Sequence, residues 1–182
     1  FAADCNLMII LSSFVPLFLL YFHRGKTWIT VACFLFLILG RESMPLWTFF
    51  ICLFLAIHYR KEREKVKLAL ILCLSSVSYF IFAFKVLIPA IENPEVPFNL
   101  FNYSNLGATP VEALAFIFTH PIDTLELLFV NTSGESYYDY VKSEFYFVYL
   151  LSGAALLIFR PYYLIPFIPL IAQKMFNDSP VR

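Results

Sequence analysis

Four ionisable side chains stand at the edges of long apolar runs: Asp4, Arg41, Glu42 and Lys85. An arginine guanidinium can hold phosphate oxygens in bidentate fashion, with a lysine as supporting charge. A carboxylate beside it can orient the guanidinium, hold a divalent cation, or take a proton from an acceptor hydroxyl. Ionisable groups near membrane depth are costly and often functional. The plainer account is that Arg41 and Glu42 cap helix ends while Lys85 snorkels to an interface. Which account applies depends on whether the surrounding elements bring the four to one place.

Those elements are apolar and arranged by charge. Hydrophobic residues make up 60% of the chain, charged residues 14%, and the mean hydropathy is +0.76. Soluble domains carry about 25% charged residues. Eight of the 13 Lys and Arg fall into three short gaps, 24–26, 60–67 and Arg160, whereas most acids lie elsewhere. Cytoplasmic loops of membrane proteins hold the excess of Lys and Arg, and acids count for little. The pattern therefore predicts an all-α integral membrane protein of about six transmembrane helices in the cell membrane, a single membrane domain over 1–182. The basic turns face the cytoplasm, and residues 91–143 form a large external loop.

The predicted spans are unequal. The first covers Asn6–Phe22, about the minimum for a hydrocarbon core of ~30 Å. Trp28–Leu39 and Leu46–His58 are short or tilted spans, separated by Gly40-Arg41-Glu42-Ser43 and with Pro45 in the first turn of the later one. Leu68–Ala90 is long enough to cross with tilt. A fifth span is expected over Glu144–Phe159, where Ser152-Gly153-Ala154-Ala155 offers a small-residue contact surface. The last run, Tyr162–Phe176, contains Pro166 and Pro169 and is expected to be kinked and buried in the bundle. Asp4, Arg41, Glu42 and Lys85 then all fall near the outer face.

The external loop has its own structure. Thr109-Pro110-Val111-Glu112 reads as a capping box with Pro at the first helical position. Apolar residues then recur at helical spacing on either side of His120-Pro121, which predicts two short amphipathic helices of the kind that lie in an interface plane. Asn131–Asp139 reads as an exposed loop tip. Asn102-Tyr103-Ser104 and Asn131-Thr132-Ser133 fit the glycosylation acceptor pattern. His58 reads as a boundary residue and His120 as a helix cap.

Several function classes find no support. Net charge is zero and no basic groove with interleaved aromatics is visible, so nucleic acid is not an expected partner. Cys5, Cys33, Cys52 and Cys73 lack metal-ligand spacing and read as small buried hydrophobes. The chain starts at Phe1 with no basic leader region, and reads as a C-terminal fragment of a longer protein. A catalytic acid upstream of Phe1 is part of that expectation.

The run Gly40-Arg41-Glu42-Ser43 between short spans resembles the charged element of a prokaryotic membrane family. So do Lys85-Val86-Leu87-Ile88-Pro89, Tyr103-Ser104-Asn105-Leu106-Gly107 with Thr109-Pro110-Val111-Glu112, and the terminal Pro161, Pro166 and Pro169 with Asn177 and Ser179. Together they resemble the predicted membrane proteins of domain-of-unknown-function family 2079, over nearly the whole chain. That family is similar in layout to GT-C-type glycosyltransferases, which take sugars from polyprenyl-phosphate donors at the outer membrane face. The resemblance implies membrane lipid and a polyprenyl-phosphate sugar as partners. It implies Asp4 and Glu42 as catalytic carboxylates, with a divalent cation as the cofactor they could hold. Arg41 would contact the substrate phosphate, and Lys85 would support it. A transporter or permease subunit and a non-catalytic membrane scaffold remain the alternative functions, because fold layout does not establish activity.

Overall fold

The computed structural model describes residues 2–41, 43–91, 103, 106–107, 110–130, 140–153, 157 and 159–176. Helices dominate, and no strand occurs among the described residues. The chain divides into two compact units, Phe1–Glu92 with Ile165–Phe167, and Asn93–Leu164 with Ile168–Arg182.

The first unit holds helices α1 (Ala2–His23), α2 (Thr27–Gly40), α3 (Met44–His58) and α4 (Arg63–Phe82). A π-helical turn, Ala83–Leu87, and the short α5, Ile88–Ile91, continue α4. Each turn has a local cause. Gly25, at φ +69°, closes α1: its N–H reaches Phe22 O at 3.1 Å and the Lys26 N–H reaches Tyr21 O at 3.0 Å. This is the Schellman pattern, which favours glycine because the backbone must turn left-handed. Pro45 occupies the first turn of α3, as its missing N–H predicts. Pro89 explains the π turn: a proline ring crowds the carbonyl four residues back, here Lys85. The helix widens just upstream, and the Ile88 N–H bonds to Ala83 O, five residues back.

Apolar side chains hold the four helices together. Phe18, Phe22, Phe34, Leu37, Cys52, Leu55, Leu72 and Cys73 form the buried core. α1 and α2 run antiparallel in close register: Phe14 stacks on Phe36 with centroids 4.2 Å apart, and Phe18 lies 6.4 Å from Phe34. α3 and α4 pair likewise, with Cys73 Sγ 3.8 Å from Phe49 O. Buried Thr30 and Thr48 donate to carbonyls of their own chain, Lys26 O and Met44 O. The outer faces are apolar too. Trp28 is 87% exposed and Leu74 70% exposed, with Leu39, Leu70, Ile71 and Val86 also bare. Large apolar side chains exposed along a helix wall are what lipid contact requires.

Among the described residues one helix is long and apolar enough to cross a bilayer by length and composition, Arg63–Ala90, at 28 residues. The short second and third runs appear as α2 and α3, of 14 and 15 residues. The helices bear out an all-helical chain with one clear span, and the expected six spans are not confirmed.

The second unit holds α6 (Pro110–Thr119), α7 (Pro121–Phe129), α8 (Val141–Leu151), the first four residues of a 3-10 helix (Pro161–Phe167) and α9 (Ile168–Met175). The two short helices of the expected external loop are present, and α6 starts at Pro110 as anticipated. Thr109, the other half of the capping box, lies outside the described residues, as do both glycosylation triplets apart from Tyr103, and the 131–139 loop. The expected fifth span is not one helix in its described part: α8 ends at Leu151, and Gly153, at φ +93°, turns the chain. Ser152 and Gly153 serve this turn, where a helix-packing surface was expected. The last run is broken as its prolines predict, but only Pro169 and Met175 of α9 are buried and the 3-10 helix buries nothing. The expected buried position of this run is corrected accordingly.

Candidate functional site

The first unit has two chemically different ends. At one end α1 finishes, α2 starts, α3 finishes and α4 starts, and Tyr59 joins three of them. Its hydroxyl lies 2.6 Å from His23 Nδ1, its ring 5.6 Å from that of Phe22, and Lys65 Nζ sits 4.4 Å over its face. Arg24, Lys26, Arg60, Lys61, Arg63, Lys65 and Lys67 crowd this end. Glu62 and Glu64 pair with Lys65 and Lys67 at 3.0 Å each. These ion pairs are exposed and contribute little to stability. His58, a boundary residue by sequence, sits here with its ring 4.8 Å from that of Tyr59.

The opposite end carries Arg41, Lys85 and the backbone of Asp4. Arg41 follows the last residue of α2, in extended conformation at φ −159° and ψ 151°, and is exposed. It thus occupies the helix-capping position that the plainer account assigned to it. Its carbonyl accepts the Met44 N–H at 3.1 Å, which tightens the α2–α3 turn. Lys85 lies in the π turn, exposed beside Val86 and Leu87. Asp4 lies in α1, and its side chain is outside the described residues; so is the whole of Glu42. The structure therefore describes the cationic half of the constellation and only the backbone position of Asp4.

Levels along the helices follow from the contacts. A Cβ at Gly40 would lie 2.7 Å from Leu11 Cδ1, so the end of α2 stands level with Leu11. Asp4 is seven residues beyond Leu11, or about 10 Å at 1.5 Å per residue. On the other pair, Phe49 stands level with Cys73. The start of α3 at Met44 is then level with Ser78, and Lys85 lies about 10 Å beyond that. Asp4 and Lys85 share one level on α1 and α4, and Arg41 sits about two turns deeper between them. Among the described residues no group of three or more His, Cys, Asp and Glu could hold a metal ion.

Two structural residues escaped the sequence reading. Tyr59 reads as the edge of a charge run, and only the fold shows it as the junction of three helices. Lys142 reads as loop charge, yet it is 8% exposed. Its ammonium donates to Leu127 O and, at 2.7 Å, to Val130 O, closing the C-terminus of α7. A cation there satisfies orphan carbonyls and opposes the helix dipole. His120 does stand at the start of α7, but its side chain stacks on Phe116 at 4.8 Å and pairs with Thr119 Oγ1, and makes no capping bond.

The family model that matches the chain is described as "Predicted membrane protein (DUF2079)" and covers residues 4–180. Neither the curated proteins nor the solved structures contain a match.

Proposed function

Since the chain belongs to this family of predicted membrane proteins, we propose that it is a membrane-embedded, GT-C-like glycosyltransferase that takes its sugar from a polyprenyl-phosphate donor at the outer membrane face. The polarity of the first unit carries this reading. Seven basic residues gather at the Tyr59 end, Asp4, Arg41 and Lys85 belong to the other, and a bare apolar wall lies between. With the basic end in the cytoplasm, the candidate residues face outward, where a lipid-linked donor presents its phosphate. Arg41 grips the phosphate oxygens and stabilises the charge that develops on the leaving group. Lys85 adds positive potential, and Asp4 or Glu42 orients the guanidinium, holds a divalent cation or accepts the acceptor's proton.

A solute path is less well supported, because Thr30 and Thr48 in the core already donate their hydroxyls to main-chain carbonyls. The test is transfer of sugar from polyprenyl-phosphate donors by membranes holding the full-length protein, with Arg41→Ala and Arg41→Lys beside the parent. Loss of one charge-stabilising donor lowers turnover by about 10²–10³-fold, and lysine should restore part of it. Unchanged transfer at unchanged protein level removes Arg41 from the site.

A further inference from the structure

Charge at the Tyr59 end of the first unit is not balanced within the fold. Seven Lys and Arg and two Glu lie in the turns 24–26 and 60–67, a net charge of +5. Both carboxylates are taken, Glu62 by Lys65 and Glu64 by Lys67. Arg60, Lys61 and Arg63 are exposed, and among the described residues they make no ion pair and no side-chain hydrogen bond. Two helix C-termini and two helix N-termini meet at this end, so their dipoles offset one another and leave the surplus standing. The backbone that carries the three cations is fixed. The Glu62 N–H donates to Tyr59 O at 2.7 Å, and the Tyr59 ring is held by Phe22, His23 and Lys65.

The helix face below these cations is apolar and bare. At about 100° per residue, Leu70 and Leu74 lie within about 20° of Arg63 around α4, and Lys67 lies about 40° away. All four side chains are exposed. α4 runs unbroken from Arg63 to Phe82, so their spacing along the axis is rigid too. Arg63 stands about 7 Å above Leu68, where the apolar run begins. A headgroup layer is about 5–8 Å deep. Leu70 and Leu74 then lie about 3 Å and about 9 Å into the hydrocarbon. We propose that this stripe binds one anionic phospholipid of the leaflet at the Tyr59 end. The Arg63 guanidinium forks the lipid phosphate, Arg60 and Lys61 add charge from the preceding turn, and an acyl chain lies along Leu70 and Leu74. A soluble anion or an acidic protein would use the cations and leave the leucines idle, whereas a lipid uses both.

The inference rests on the family being membrane proteins and not on transferase chemistry at the other end of the unit, so the two can fail separately. The test uses the full-length protein in vesicles of phosphatidylcholine holding a minor share of phosphatidylglycerol with a photoactivatable diazirine in its acyl chain. After illumination the labelled residues are mapped by mass spectrometry. Label on α4 between Leu70 and Ser78 is expected, and much less of it when phosphatidylcholine carries the diazirine instead. Unlabelled phosphatidylglycerol should compete it away, and inorganic phosphate in the buffer should not. Equal labelling by the two lipids overturns recognition of the headgroup, and displacement by inorganic phosphate overturns the lipid as occupant.

Two sets of variants separate a site from diffuse attraction. Replacing Arg60, Lys61 and Arg63 together with Gln should lower labelling of α4 about fivefold or more. Arg24→Gln with Lys26→Gln removes charge from the neighbouring turn of the same end and should leave α4 labelling nearly unchanged. Equal losses in the two sets would mean that the whole surface attracts lipid without a site, and the proposal falls. The comparison of the two lipids is made on the unaltered protein, so it stands even where the triple variant does not assemble.

Discussion

Gly40 sets how far α2 can approach α1, and replacing it with alanine measures that approach. The new Cβ would fall 2.7 Å from Leu11 Cδ1, nearer still to Cδ2, and 3.0 Å from Cγ. The colliding atoms are side-chain ends, but Leu11 is fully buried, so rotation only transfers the clash to a neighbour. Overpacking of this kind costs about 1–3 kcal/mol. Alanine returns about 0.5–1 kcal/mol of helix preference over glycine, which leaves a net loss of about 1–2 kcal/mol. Leu11→Ala alone should cost about 2–5 kcal/mol through lost contact and a cavity. In that background the obstructing methyls are gone, and Gly40→Ala should be neutral or stabilising. The expected coupling is therefore about 2 kcal/mol and favourable, read by a four-member cycle of reversible unfolding in mixed detergent micelles. Additive behaviour within ~0.5 kcal/mol would refute the register of α1 on α2, and with it the level assigned to Arg41.

Tyr59→Phe removes one hydroxyl contact and should lower stability by about 0.5–1 kcal/mol, whereas Tyr59→Ala also removes the rings' and Lys65's contacts and should cost clearly more in the same micelle assay; equal losses would deny the ring its role as a junction. Lys142→Met keeps the apolar stem but leaves two carbonyls of the α7 terminus unpaired, a loss of about 2–3 kcal/mol. It should appear as faster amide hydrogen exchange in α7 than in α6, and unchanged exchange would contradict the cap. Gly107, at φ +143° with a Cβ position 2.7 Å from Glu112 Cβ, should not accept alanine. The strain of about 1–3 kcal/mol should open the start of α6 to limited proteolysis.

What the sequence made legible was local. Pro45 and Pro110 mark helix starts because the missing N–H and fixed φ act within one turn, and α3 and α6 begin there. Gly25 ends α1 by a different local cause, the left-handed turn that glycine takes without a Cβ penalty, and the proline-broken last run appears as a 3-10 helix followed by α9. The π turn was within reach as well, since Pro89 stands four residues after Lys85. Contacts between distant segments were not legible. The level of Arg41 depends on Leu11 meeting Gly40 and on His23 meeting Tyr59, which no window of periodicity contains. Composition cannot show that an α7 terminus fifteen residues back comes to meet the Lys142 ammonium. The fifth run is apolar apart from Glu144 and Ser152, yet hydropathy is blind to the left-handed turn at Gly153 just after α8. Of the candidate site, the sequence yields residue types and a common end of the bundle, while depth relative to one another needed the packed helices.

The crowd of cations around Tyr59 also bears on how the protein is made. To invert the first unit after assembly, seven Lys and Arg side chains would have to be dragged through hydrocarbon together. At about 2.5–3.5 kcal/mol for each, the barrier reaches roughly 20 kcal/mol before any packing is lost. Whichever way the nascent chain enters the bilayer is then permanent, and any mixture of orientations in a cell must be a record of events at the translocon.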